Sequence, residues 1–261
     1  MTTRPVKFYK YRLAAGNAAG RLERIVCHNE IYFAAPSSFN DPFDSTAVFA
    51  PEIGTDEDLM QSYMKLAGKH GPPMSDAELR RDAEAMLADP NRNPRNENVR
   101  QVIQDEYART VRATTGIYCL SEVPDDILMW SHYADHHRGV CLEFDGAGKL
   151  AQHAMKVGYA HERPAIAHQD SNDIKLEKVL LTKSIHWQYE KEWRLIRHSG
   201  GPGVEVFRAE NLTGIIVGAQ APMETLKLVR RLNKARARPL GLYKATTSRY
   251  TFTVDIHQIA A

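Results

Sequence analysis

Trp187-Gln188-Tyr189-Glu190-Lys191-Glu192-Trp193-Arg194-Leu195 decides how this chain is read, because at strand spacing it sorts its residues onto two opposed faces. Successive side chains of an extended segment alternate, which places Trp187, Tyr189, Trp193 and Leu195 on one face and Gln188, Glu190, Glu192 and Arg194 on the other. The aromatic face predicts packing against a core, and the acidic face predicts two carboxylates presented to a polar ligand. Lys191 falls on the apolar side and must snorkel or sit at an edge. The same pattern also suits an exposed edge strand with solvated charges, since charged side chains are by default at the surface.

Working outward, the apolar spacing predicts strands at Lys7–Leu13, Ile31–Ala34, Gly116–Ser121, Gly139–Phe144, Val204–Phe207, Gly214–Val217, Leu240–Ala245 and Tyr250–Ile256. Helices are expected at Asn17–His28, Pro124–Asp135, Asp173–Thr182 and Pro222–Arg236. Helices alternate irregularly with strands, which predicts an α+β fold on a mixed or split sheet. Residues 36–44, Pro-Ser-Ser-Phe-Asn-Asp-Pro-Phe-Asp, form a loop in which Asx side chains cap local backbone and Phe39 and Phe43 serve as anchors. Residues 55–112 turn charged and helical, broken at Gly71-Pro72-Pro73 and around Pro90 and Pro94, and predict a helical insertion within a single 1–261 domain.

The formal net charge of the 261 residues is only +2, so any polyanion site must be a local patch. Cys27, Cys119 and Cys141 form no ligand pair and cannot complete a disulfide framework, which predicts a reducing, cytoplasmic setting. Residues 1–10 lack a signal-like apolar block and no run reaches the ~20 apolar residues of a membrane span, so no membrane partner is expected.

Several side chains have the chemistry for a site. Ser121 ends a strand just before a helix, where a hydroxyl serves either a ligand or the cap of that helix. Arg12 carries a planar donor set suited to phosphate or carboxylate, or is a surface arginine. Asn40, Asp41 and Asp44 either hold a ligand or stabilise their own turn. His132 and His136 stand four apart, but the glutamate of His-Glu-x-x-His is missing, so no metal is assigned and they are expected to line a wet cleft or cap a helix end. Lys227, Arg230, Arg231, Lys234, Arg236 and Arg238 are read as a solvated helix face rather than a nucleic-acid surface.

Tyr9-Lys10-Tyr11-Arg12, Phe39-Asn40-Asp41-Pro42-Phe43-Asp44, Leu120-Ser121-Glu122 with Met129-Trp130-Ser131-His132-Tyr133 and Arg138-Gly139-Val140, and the Trp187–Leu195 block resemble, in that order, the bacterial family called domain of unknown function 2971. Arg12, Ser121 and Glu190-x-Glu192 also resemble, more distantly, the Arg-Ser-Glu motif of ADP-ribosyltransferases, although Cys-Leu-Ser-Glu stands where that family has Ser-Thr-Ser.

The second resemblance implies an ADP-ribosyltransferase-like core and NAD as substrate. It implies that Glu192 stabilises the oxocarbenium-like transition state, Glu190 positions the acceptor, and Ser121 supports the glutamate or ribose. Arg12 would hold the pyrophosphate, and Tyr133 or Trp130 would stack on nicotinamide, with Asn40 and Asp44 at the cofactor. The acceptor would be a macromolecule, protein or nucleic acid, in a toxin or phage-defence role. Two other classes fit the same residues: a metal-dependent nuclease or phosphoesterase using Asp44, Glu190 and Glu192, and a non-catalytic binding module.

Overall fold

The computed structural model describes residues 4–50, 54–167, 170–198 and 200–260. The chain runs β1 (Lys7–Arg12), α1 (Asn17–His28), β2 (Glu30–Phe33), β3 (Val48–Phe49), α2 (Asp56–His70), α3 (Asp76–Ala88), α4 (Glu97–Thr114) and β4 (Gly116–Ser121). It continues α5 (Ile127–Tyr133), β5 (Val140–Asp145), β6 (Met155–Lys156), β7 (Gly158–Ala160), β8 (Ala165–Ile166), α6 (Asn172–Leu180) and β9 (Thr182–Ser184). It closes with β10 (Glu192–Arg197), β11 (Gly203–Val206), β12 (Leu212–Val217), α7 (Met223–Lys234), β13 (Gly241–Thr247) and β14 (Val254–Gln258). Contacts divide it into one unit of residues 1–40, 113–159 and 184–261, and a second of residues 41–112 and 160–183.

The first unit is built on an eight-stranded mixed sheet in the order β14-β13-β12-β5-β1-β4-β10-β6. Only β12 and β13 pair in parallel among these strands; the other neighbours are antiparallel. The alternation of buried side chains explains why helices cover both faces. Leu142, Phe144, Ile215, Val217 and Leu242 face Leu22, Ile25 and Val26 of α1 and Val229 and Leu232 of α7, whereas Cys141, Ile216 and Ala245 face Met129 and Trp130 of α5. Each such fully buried aliphatic or aromatic side chain stabilises the fold by about 1.5–3 kcal/mol.

One join in this sheet is weak. β1 pairs with β5 along six residues, from Lys7↔Asp145 to Arg12↔Val140, and β10 pairs with β4 along six, from Glu192↔Ser121 to Arg197↔Gly116. β1 meets β4 through the single register pair Tyr9↔Ser121. Beyond Tyr9 the two strands part, and Lys10 and Arg12 lie along that seam.

The second unit holds α2 and α3, each opened by a capping box, Thr55 with Asp58 and Ser75 with Glu78, which satisfies the first free backbone N–H groups. Leu59, Leu79, Ala83 and Met86 are buried in these helices, and β3 pairs with β8 in parallel. Phe43, expected as a loop anchor, is instead exposed.

Three further expectations are corrected. Arg236 does not belong to a solvated face: it is buried, donating to the Ala209 carbonyl at 3.0 Å and to Asn29 Oδ1 at 3.1 Å. The closing strand begins at Val254, because the chain turns through Ser248–Thr253 rather than extending from Tyr250. The decisive segment is not extended throughout. Ile185–Glu190 is a 3₁₀ turn, Lys191 adopts a left-handed φ of 44°, and the strand starts at Glu192. Among the described residues, no helix is long and apolar enough to cross a membrane.

Candidate functional site

The 3₁₀ turn and strand β10 present Glu190 and Glu192 from opposite sides of the Lys191 kink. Within β10 the expected alternation holds: Trp193 and Leu195 enter the main core, while Glu192 and Arg194 point the other way. Trp193 is fixed by an edge-on contact with Phe8 at 5.3 Å and by its indole N–H, which donates to Glu122 Oε1 at 2.7 Å. Lys156 donates to the same oxygen at 2.8 Å. Burial alone would raise the Glu122 pKa, but these two hydrogen bonds outweigh it and hold the group below its usual value.

Ser121 serves this turn. Its hydroxyl donates to the Glu190 carbonyl at 2.6 Å and accepts from the Val123 N–H at 3.2 Å. The backbone is pinned further by the Glu122 N–H donating to the Lys191 carbonyl at 3.1 Å and by the Glu192 N–H donating to the Tyr159 hydroxyl at 2.8 Å. The serine's observed task is therefore to hold the two glutamates in register.

Both carboxylates are almost completely buried. Arg194 grips Glu192 with two donors, Nε to Oε1 at 2.7 Å and Nη2 to Oε2 at 3.0 Å, and its guanidinium lies 5.8 Å from the Phe39 ring centre. Glu190 Oε1 accepts from the Tyr133 hydroxyl at 2.7 Å. The planar guanidinium of Arg194 orients Glu192, and the Tyr133 phenol contributes to orienting Glu190.

Arg12 stands at the seam, its guanidinium 5.9 Å from the centre of the Tyr118 ring, with Lys10 Nζ 4.9 Å from the same ring. Arg12 Nε and the Tyr118 hydroxyl are buried without a well-formed hydrogen bond, although the guanidinium lies close enough to the phenol to oppose the effect of its burial. Leaving such groups unpaired costs about 1–3 kcal/mol each, so two at one place mark where a polar ligand or water belongs. Burial pushes the Tyr118 phenol up to about 12 against the opposing charge of Arg12. Burial of its ammonium lowers the Lys10 pKa to about 8, although the residue as a whole is only partly enclosed. The Cys119 thiol is raised well above its usual range, first by burial and then by Glu192.

Tyr133 and Asn40 reach different parts of the surroundings, and Trp130 reaches none of them. Trp130 is fully buried, its N–H donating to the Pro124 carbonyl at 2.8 Å and its ring lying edge-on to Tyr11 and stacked on His137. It offers no open face to a ligand. Asn40 is exposed and lines an open cleft of about 480 Å³ with Leu13, Ser131, His132, Asp135, His136 and Trp187. His132 Nδ1 lies 3.1 Å from the Tyr189 hydroxyl. Asp44 belongs to the second unit, where its carboxylate accepts from Ser45 at 2.8 Å and faces Lys183 at 3.6 Å.

The wall of that cleft is unusual backbone. Asp135, His136 and His137 follow α5 in succession at φ of 50°, 52° and 68°, a left-handed turn without glycine. Such residues cost roughly 1–2 kcal/mol each and persist where the surroundings impose them. Here the Gly139 N–H donates to the Ala134 carbonyl at 2.7 Å and the Gln220 N–H to the His137 carbonyl at 3.0 Å. A Cβ at Gly139 would collide with the carbonyl oxygens of Arg12 and Ala134, which is why glycine closes the turn.

Lys10, Phe39, Tyr118 and Arg194 were not singled out from sequence as site residues. Arg194 alone carried a signal, as the cation two residues beyond Glu192 on one strand face. Among the described residues, no group of three His, Cys, Asp or Glu side chains is placed to hold a metal ion.

A family model described as Protein of unknown function (DUF2971) matches residues 129–195. The DUF2971 match covers α5 from Met129 onward, the left-handed turn, β5 and the Glu190–Glu192 kink, and leaves Arg12 and Ser121 outside it. No curated protein and no solved structure matches the chain.

Proposed function

We propose that this protein is an NAD-dependent ADP-ribosyltransferase-like enzyme that modifies a macromolecule, with the seam between β1 and β4 as its cleft. The observation that carries the reading is the pair of buried polar groups without a well-formed hydrogen bond at that seam, Arg12 Nε and the Tyr118 hydroxyl, in the sheet that also carries Glu192. A pyrophosphate would supply an acceptor oxygen to the buried Nε of the partly enclosed Arg12 guanidinium.

In the reaction, the bond between C1′ of the ribose and the nicotinamide nitrogen breaks, and its electron pair leaves with nicotinamide. Positive charge then develops at C1′. Glu192, held in one orientation by Arg194, stabilises that charge. A nucleophilic atom of the acceptor forms the new bond to C1′, and its proton passes to Glu190, which Tyr133 helps to orient. Ser121 acts through the backbone by fixing the kink that separates the two glutamates. A role as a toxin or phage-defence effector follows from the resemblance to transferases of that kind.

The metal-dependent nuclease reading is less well supported, because the same carboxylates are engaged by Arg194 and Tyr133 and no donor set for a cation occurs among the described residues.

Calorimetric titration of NAD tests the assignment of Arg12. Binding is expected for the wild type, and Arg12→Met is expected to weaken it at least about tenfold, the loss of one charge-assisted contact. Absence of NAD binding, or equal binding by both proteins, overturns the reading.

A further inference from the structure

The ladder between β13 and β14 runs from Tyr243↔Gln258 to Thr247↔Val254, and the Ser248 N–H donates to the Thr253 carbonyl at 3.0 Å to close the hairpin. Its tip is pinned from inside. Ser248 Oγ accepts from the backbone N–H groups of Tyr250 and Thr251, both at 3.3 Å, and Thr251 Oγ1 lies 2.8 Å from Thr253 Oγ1. This small, ordered loop holds two large aromatic rings in solvent, Tyr250 at 94% exposure and Phe252 at 98%. Such exposure contributes nothing to the core, and paired aromatics held out on a fixed loop mark an interaction surface.

The chemistry around the rings narrows the partner. Arg249 is the one charged side chain of the 248–253 tip and is exposed, which suits it to a phosphate, whereas the Lys244 ammonium donates to the Gly218 and Ala219 carbonyls and Asp255 lies further back on β14. Beside the rings is a cavity of about 390 Å³ that the hairpin forms with Ile127, His137 and Gln220. Thr247, His137 and Gln220 are among the residues that line it, and side chains of these types can hydrogen-bond to the edge of a planar heterocycle. A bilayer surface calls for a continuous apolar face or a polybasic cluster, and this tip has neither. Duplexes conceal the base faces that exposed aromatics would stack on.

The geometry points to a single-stranded nucleic acid as the occupant of this tip. Its bases stack on Tyr250 and Phe252, Arg249 meets a phosphate, and one unstacked base enters the cavity toward Gln220 and His137. His137 is the residue after His136, which lines the cleft with Asn40 and His132, so the two concavities are separated by one left-handed turn. Binding at the tip does not depend on the transferase reading, and the experiment omits NAD.

Fluorescence anisotropy with the full chain and labelled single-stranded RNA and DNA of about 12 nucleotides, the scale of such sites, tests the inference. The wild type is expected to bind single strands better than duplex, and Tyr250→Ala/Phe252→Ala to weaken binding at least about tenfold. The melting temperature should stay unchanged, since both rings are exposed. Arg249→Ala is expected to lower the slope of log affinity against log salt by about 1. Four outcomes overturn the inference: no binding of either single strand at low salt, equal binding of duplex, equal binding by the double aromatic variant, or preference for vesicles of anionic phospholipid.

Discussion

Arg194 and Glu192, two residues apart on one strand, form a bidentate ion pair in which the arginine is entirely buried and the glutamate nearly so. Desolvating both groups is costly, and their pairing offsets that cost only while both are present. Arg194→Met is therefore expected to destabilise the protein by about 3–5 kcal/mol by stranding a buried carboxylate. The double variant Glu192→Leu/Arg194→Met should recover part of that loss in urea denaturation. A single variant as stable as the wild type would mean that the pair contributes nothing to the fold.

Lys10 gives the protein a pH signature. Its pKa is lowered to about 8 by burial of its ammonium, whereas the unfolded chain keeps the ordinary value of 10.5. Between these values the unfolded state holds the proton and the folded state has released it, so stability rises as pH increases from about 8 to 10.5. Below about 8 the full cost of burying the ammonium remains. Subtracting the profile of Lys10→Met from that of the wild type should leave a positive slope approaching about 1.4 kcal/mol per pH unit in this window. A flat difference would show that Lys10 titrates as a solvated amine.

His136 separates stability from function. At φ of 52° it has a conformation that glycine adopts without a Cβ penalty. His136→Gly is expected to raise stability, or leave it unchanged, by at most about 1 kcal/mol while removing an imidazole from the cleft wall. Thermal melting with NAD turnover on the same samples checks this. A lower melting temperature would show that the imidazole's contacts outweigh the backbone strain.

The parts of the fold that were legible in sequence are those set by local apolar spacing. Gly116–Ser121 and Asn17–His28 have the expected bounds, and the alternation of Trp193 and Leu195 against Glu192 and Arg194 is present in β10. The segment before it is a 3₁₀ turn rather than a strand, and the four residues Trp187–Glu190 are too few to distinguish a period of two from the period of three of such a turn. The kink falls on Lys191, a residue type that does not announce positive φ. The helix from Pro124 is shorter than its pattern because Asp126 caps it, accepting from the Met129 N–H at 2.9 Å, and the left-handed turn follows Ala134. Tyr250 and Phe252 read as strand residues by composition, yet Ser248 bends the backbone there and exposes them. The seam at Arg12 depends on β1 and β4 parting after one pair, a tertiary fact with no local signature.

The most direct test is release of nicotinamide from NAD by purified wild-type protein measured beside Glu192→Gln, which keeps the side chain's shape and removes its charge. The account predicts turnover by the wild type and a loss of at least about 100-fold in the variant, the scale of losing one transition-state electrostatic contact. Circular dichroism at the assay temperature should show both proteins folded, with a lower melting temperature for Glu192→Gln because the Arg194 charge is left uncompensated. Equal turnover by the two proteins, or none by the wild type with any candidate acceptor, contradicts the account.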